Sequence, residues 1–201
     1  PLFRKLLRQI GKPKYKGIIL RKTFPQLQEL IDKSLALYPV IDPKAFYHST
    51  SHTWRFSSGA KIQFGSMPHK NDRFQYQGIA YDFIGFDELT HFTWDEYDFL
   101  RSRNRPNDAG MLVYMRATAN PGGVGHGWVK DRFITPAPPN TTIWENSTFT
   151  DRDGTKYTRR MSRIFIPSFV QDNPALQKND PNYIFKLASM SEAQRNAMLY
   201  G

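Results

Sequence analysis

Tyr81-Asp82-Phe83-Ile84-Gly85-Phe86-Asp87-Glu88 decides how this chain is read. Phe83 to Phe86 is a short apolar run, the pattern of a strand buried on both faces of a largely parallel sheet. It ends at two adjacent carboxylates. In open α/β sheets, ligands bind beyond the carboxyl ends of the strands, which is where Asp87 and Glu88 then stand. One carboxylate there can hold Mg²⁺ through its waters, while the next orients and polarises an attacking water. Hydrolysis of a nucleoside triphosphate requires those two tasks. The same acids also suit a strand that runs into a helix N-terminus, where negative charge is favoured by the helix dipole.

Working outward, Met111–Met115 reads as a second strand, followed by Arg116-Ala117-Thr118-Ala119-Asn120-Pro121-Gly122-Gly123. Small polar groups such as Thr118 and Asn120, beside an acidic strand end, suit a sensor of the terminal phosphate. Asn-Pro-Gly-Gly is equally a turn signal, and the two readings are compatible. Upstream, Gly17–Leu20 reads as a buried strand that delivers Arg21 and Lys22 either to a nucleotide or to a nearby helix start. Phe24–Leu37 reads as an amphipathic helix with Pro25 in its first turn and Leu27, Leu30, Ile31, Ser34 and Leu35 on its inner face. Leu2, Phe3, Leu6, Leu7 and Ile10 recur at helical spacing. Thr53–Phe56 and Ala60–Phe64 flank a hairpin signal, Trp94–Arg103 reads as a helix, Arg163–Ile166 as a strand, and 181–200 as a helix in two pieces. Strands interleaved with helices predict an α/β sheet covered on both faces.

The composition fits a globular chain: 201 residues, enough for one domain, with 39% hydrophobic and 14% aromatic residues. No apolar run reaches the roughly 18–20 residues that span a bilayer. The opening Pro1–Arg8 carries charges and no cleavage signal, so no secretory leader is expected. Cysteine is absent, which excludes disulfides and thiolate metal sites. His48 and His52 stand four apart, but Ser49-Thr50-Ser51 between them is a poor helix sequence and no third ligand stands out. Trp54, Trp94, Trp128 and Trp144 suit core or interface positions better than base stacking.

The formal charge of +10 favours a polyanionic partner, nucleic acid before anionic membrane. Three basic clusters carry the excess: Arg4 to Lys22, with eight basic and no acidic residues; Arg101, Arg103 and Arg105; and Lys156, Arg159, Arg160 and Arg163.

Three segments taken together resemble a family. Gly17-Ile-Ile-Leu-Arg-Lys-Thr-Phe-Pro-Gln-Leu27, Phe83-Ile-Gly-Phe-Asp-Glu-Leu89 and Ala117-Thr-Ala-Asn-Pro-Gly-Gly123, with His126-Gly-Trp-Val129, are similar in order and spacing to the large terminase subunit of tailed bacteriophages and prophages. The closing 195–201 resembles the segment that ends its ATPase domain. The resemblance implies a P-loop NTPase fold of the RecA/ASCE type, ATP and Mg²⁺ as cofactors, and translocation of double-stranded viral DNA into a procapsid. It implies a portal protein, a terminase small subunit and further copies in a ring as partners, no membrane, and the cytoplasm of the infected bacterial host as location. By position, Asp87 resembles the Mg-associated Walker B acid and Glu88 the catalytic acid. Thr118, Ala119 and Asn120 resemble the coupling motif; Arg21, placed by its strand end and not by the resemblance, is a further candidate for nucleotide binding.

Two departures qualify those expectations. No Gly-x-x-x-x-Gly-Lys-[Ser/Thr] loop occurs in residues 1–201, so the chain reads as a terminase ATPase domain truncated at its N-terminus, expected to bind and hydrolyse ATP weakly by itself. Where many members carry an arginine finger, Gln77 stands before Gly78. Arg73 is the substitute candidate, with Arg101, Arg103 and Arg105 behind it. After residue 160 only Asp172, Asp180 and Glu192 remain as acids, too few for a two-metal nuclease. A DNA- or portal-binding module without catalysis is one alternative. A helicase-like DNA-dependent ATPase is another, disfavoured because the length leaves no room for a second RecA-like domain.

Overall fold

Everything in the main sheet is arranged around β1 (Lys16–Arg21) in the computed structural model, which describes residues 5–192 and 195. Leu2, Phe3 and the segment 196–201 lie outside the described residues. The chain divides into two compact units, Pro1–Ala119 and Asn120–Gly201.

In the first unit β1 pairs in parallel with β4 (Lys61–Ser66) on one side and β5 (Phe83–Phe86) on the other. β5 in turn pairs in parallel with β6 (Tyr114–Ala117). β3 (Thr53–Arg55) joins β4 antiparallel as the expected hairpin. β2 (Phe46–His48), a short strand that the hydrophobic pattern does not announce, adds the far edge. The order is β2-β3-β4-β1-β5-β6.

Alternation along β1 explains the layers. Ile19 lies beside Phe64 in the register and packs with Leu6, Leu27, Ile31, Tyr38, Trp54 and Phe83 in one buried cluster. That face is covered by α1 (Gln28–Ile41) and the N-terminal turn. Ile18 and Leu20 point the other way, beside Ile84 and Phe86. Phe86 meets Phe92 and Tyr97 with ring centroids 5.1 and 5.6 Å apart, so α2 (Trp94–Arg101) covers the second face. The sheet is therefore helix-covered on both sides, as β-strands without alternation require. Close packing also explains Gly17: a Cβ there would sit 2.6 Å from Leu6 Cδ1.

Several boundaries differ from the sequence reading. The helix expected from Phe24 begins with a 3₁₀ turn at Pro25–Leu27, and α1 proper runs from Gln28 to Ile41 through Pro39. Its buried stripe is Ile31, Ser34 and Tyr38, while Leu35 is 45% exposed. Ser34 suits the core because its hydroxyl donates to Ile31 O (2.6 Å) and accepts from Trp54 Nε1 (2.9 Å). The strand expected over Met111–Met115 is displaced to Tyr114–Ala117, because Met111 N–H closes a turn on Asp108 O and Leu112 N–H is taken by Gln9 Oε1.

In the second unit, α3 (His126–Val129) runs into a π-helical turn at Lys130–Ile134. β7 (Thr142–Thr150) and β8 (Lys156–Ile164) form a separate antiparallel ribbon. The strand expected at Arg163–Ile166 is the end of that ribbon and does not join the main sheet. α4 (Pro174–Asn179) and α5 (Tyr183–Ala188) follow. Among the described residues no helix is long and apolar enough to cross a membrane.

A buried carboxylate anchors the base of β5. Asp82 is fully buried and accepts from Lys16 N–H (2.9 Å), Asn107 N–H (2.9 Å) and Asn107 Nδ2 (2.8 Å). Removing the acceptor strands those donors, at about 1–3 kcal/mol for a buried polar group left unsatisfied. Asp82→Ala is expected to lose about 2–4 kcal/mol of unfolding free energy in urea titrations, several-fold more than Asp32→Ala on the exposed side of α1.

Candidate functional site

Three parallel strand ends meet where the paired acids lie. Asp87 N–H donates to Leu20 O at 2.9 Å, extending the β1–β5 ladder by one residue. Thr118 N–H donates to Phe86 O (2.9 Å) and Leu89 N–H to Thr118 O (2.8 Å), which laces the tip of β6 to the segment after β5. These backbone bonds fix where the side chains stand.

The Asp87 carboxylate is nearly buried and takes one partner from each flanking strand. Arg21 Nε donates to Oδ2 at 2.6 Å and Thr118 Oγ1 donates to Oδ1 at 2.5 Å. Only 12% of the Asp87 side chain and 23% of the Arg21 side chain is exposed. A charge at that depth needs both an opposite charge and further hydrogen bonds, and both are supplied.

Glu88 follows in the left-handed region, with φ 58° and ψ 63°. Its N–H points toward Thr118 Oγ1 at 3.4 Å, so one hydroxyl meets both the Asp87 carboxylate and the Glu88 backbone. A non-glycine residue in this conformation stores about 1 kcal/mol or more of strain, and such residues concentrate at functional sites. The chain then makes a 3₁₀ turn at Leu89–His91 and enters α2 through Thr93. Asp87 and Glu88 thus precede a helix by several residues. The N-cap and first-turn acids of α2 are instead Thr93, Asp95 and Glu96.

Beside this cluster, Lys22 Nζ pairs with Glu96 Oε1 at 2.7 Å. Glu96 is fully buried, and its Oε2 also accepts from Thr93 N–H at 2.8 Å. The run Thr93-Trp94-Asp95-Glu96 is a capping-box signature, so the helix start was visible in the sequence, but nothing local announced the lysine. Arg21 and Lys22, adjacent in sequence, therefore tie β1 to the acid tip and to α2 respectively.

Other residues singled out from the sequence have local partners of their own. Arg73 lies in the 3₁₀ segment Lys70–Tyr76, where Nη1 donates to Lys70 O (2.7 Å) and the guanidinium lies 4.6 Å from the Phe74 ring centroid. Arg101 pairs with Asp98 at 2.6 Å, and Arg103 lies 5.4 Å from the Phe99 ring. Arg105 gives its N–H to Tyr81 O at 3.2 Å. Asn120 is the first residue of the second unit. His48 contacts Ser51, whereas His52 contacts Tyr47, and burial lowers the His52 pKa.

A helix-covered, mainly parallel sheet whose acid-tipped strand adjoins a threonine-tipped strand fits an α/β P-loop-like ATPase fold. A family model described as terminase large subunit, T4likevirus-type, N-terminal, matches residues 4–201, and the chain belongs to that family. Membership implies a role in the packaging of DNA. No curated protein matches the chain.

The strain at Glu88 yields a stability order. Glu88→Gly relieves the left-handed backbone, whereas a β-branched side chain is a severe misfit there. Glu88→Gly is expected to raise stability by about 0.5–1 kcal/mol and Glu88→Val to lower it by about 1–2 kcal/mol. Denaturant midpoints of the two variants against the parent check this order.

Proposed function

We propose that the chain supplies the catalytic strand pair of an ATP-hydrolysing motor that drives double-stranded DNA into a procapsid. The observation that carries this reading is the Thr118 hydroxyl donating to the Asp87 carboxylate across two neighbouring strand tips. A sensor strand can report on the acid strand only if the two touch.

Asp87 presents hard oxygen donors that fit Mg²⁺. Both oxygens already accept a hydrogen bond, which favours contact through the ion's waters rather than direct ligation. The ion, when bound, screens the charge that develops on the transferred phosphoryl group. Arg21 balances the Asp87 charge and stands next to the phosphates. Glu88, one residue on, orients the attacking water and accepts its proton. Thr118 responds to the state of the acid pair and passes it along Ala119 and Asn120 into the second unit, where movement is coupled to DNA. Arg73 remains the arginine-finger candidate toward a neighbouring copy. DNA, portal, small subunit and a ring of copies are the partners on this reading, with the host cytoplasm as the setting. Family membership favours packaging over helicase action.

The test adds a phosphate-binding loop upstream of Pro1 and follows phosphate release. Glu88→Gln is expected to reduce ATP turnover by at least about 100-fold while nucleotide affinity, read by a fluorescent analogue, changes less than about threefold. Equal turnover in parent and variant would remove Glu88 from the chemistry. Absence of any turnover in the extended parent would leave a module that binds without catalysis.

A further inference from the structure

The second unit carries a surface whose chemistry differs from face to face. β7 and β8 are nine residues each and almost wholly exposed. Strand alternation and register divide their side chains. On one face lie Trp144, Asn146 and Thr148 of β7 with Lys156, Thr158 and Arg160 of β8. The Thr148 and Thr158 hydroxyls meet at 3.1 Å, and the Arg160 guanidinium lies 4.2 Å from the Trp144 ring centroid. No acidic residue falls on this face. The opposite face holds the Arg163–Glu145 pair at 2.5 Å and the stacked Phe149 and Tyr157 rings.

Pairing separates this cluster from several of the chain's other cations. In the run before Lys22, Lys12 donates to Gly110 O, Lys14 pairs with Asp108, Arg21 with Asp87 and Lys22 with Glu96. Arg101 pairs with Asp98. By contrast, Lys156 and Arg160 have no acidic partner among the described residues. Four residues along a strand separate them by about 13 Å. The major groove of duplex DNA is about 12 Å wide and admits a two-stranded ribbon.

We infer that this ribbon face is a duplex-DNA contact, laid across the groove so that Lys156 and Arg160 reach phosphates on opposite walls. Thr158 and Thr148 supply hydroxyl donors between them, and hydroxyls are common phosphate partners. Trp144 acts as a rigid platform that holds Arg160 extended over its ring and does not stack on a base. Contacts of this kind carry affinity without sequence preference, as a protein that moves along DNA requires. The inference rests on DNA being the partner, as proposed above.

The experiment measures binding of the full chain to a 30-base-pair duplex by fluorescence anisotropy across a salt series. Lys156→Ala with Arg160→Ala is expected to weaken binding about tenfold and to reduce the slope of log affinity against log salt by about 2, the loss of two phosphate contacts. Arg159→Ala, on the opposite face, is expected to change affinity less than about twofold. Thr158→Glu, which places an anion between the two cations, is expected to weaken binding at least as much as the double variant. Unchanged affinity and slope in the double variant would overturn the ribbon assignment while leaving DNA as the partner. A parent chain with no salt-dependent duplex binding would instead remove the DNA reading itself. If the double variant kept its DNA affinity but lost self-association in sedimentation, the face would belong to a second copy of the chain, and the inference would fail.

Discussion

The buried carboxylate of Asp87, shared between Arg21 of β1 and Thr118 at the end of β6, is the constraint on which the first unit depends. A charge that deep is tolerated only when its partners arrive in register. Sliding β6 by one residue would turn Thr118 to the opposite face and leave Oδ1 without its donor. The register is held lower down, where Phe83 faces Tyr114 edge-on at 5.1 Å and Tyr114 N–H donates to Asp82 O at 3.1 Å. Packing at the base of the strands thus sets chemistry at their tips.

β5 carries a carboxylate at each end, and the two differ in kind. Asp82 is held mainly by backbone N–H groups, donors that cannot swing away without unfolding the loop. Asp87 is held by an arginine and a hydroxyl, side chains that can exchange one partner for another by rotating. Fixed donors suit a structural anchor, and exchangeable donors suit a group that must accept a ligand. Glu88 sharpens the contrast, because its left-handed backbone departs from the easy local choice at the point where the chain leaves the sheet. Local strain beside an exchangeable carboxylate is where stability has been given up for function.

Much of the first unit was legible because burial on both faces writes continuous apolar runs. Gly17–Leu20 and Phe83–Phe86 read directly as strands for that reason. The acid pair and Thr118 were visible as residues at strand ends, and their contact follows from β5 and β6 being neighbours, which no local pattern states. β6 was read three residues early because its apolar start, Met111–Val113, is engaged by a turn and by Gln9, a partner 103 residues away. β2 and all but the end of the β7–β8 ribbon escaped notice for the opposite reason. Exposed strands have no core to select apolar residues, so their threonines, arginines and aromatics show no alternation of polarity. Leu35 and Tyr38 exchanged roles on α1 because the buried stripe runs through the hydrogen-bonded Ser34 and on to Tyr38.

Net charge gains meaning only after internal pairing is subtracted. The run from Arg4 to Lys22 holds more basic residues than either other cluster, yet the fold commits several of them: Arg21 and Lys22 to two buried or nearly buried carboxylates, and Lys12 and Lys14, at the surface, to a carbonyl and a loop acid. The smaller cluster on β8 loses Arg163 to Glu145 and keeps the others facing solvent. A cation already committed to a buried acid has little left to offer a phosphate, because leaving that acid unpaired costs more than a surface contact returns. The electrostatic footprint of this chain therefore follows the pairing of its lysines and arginines, and a strand ribbon with one acid-free face is better placed to meet a polyanion than the longer basic run that begins the sequence.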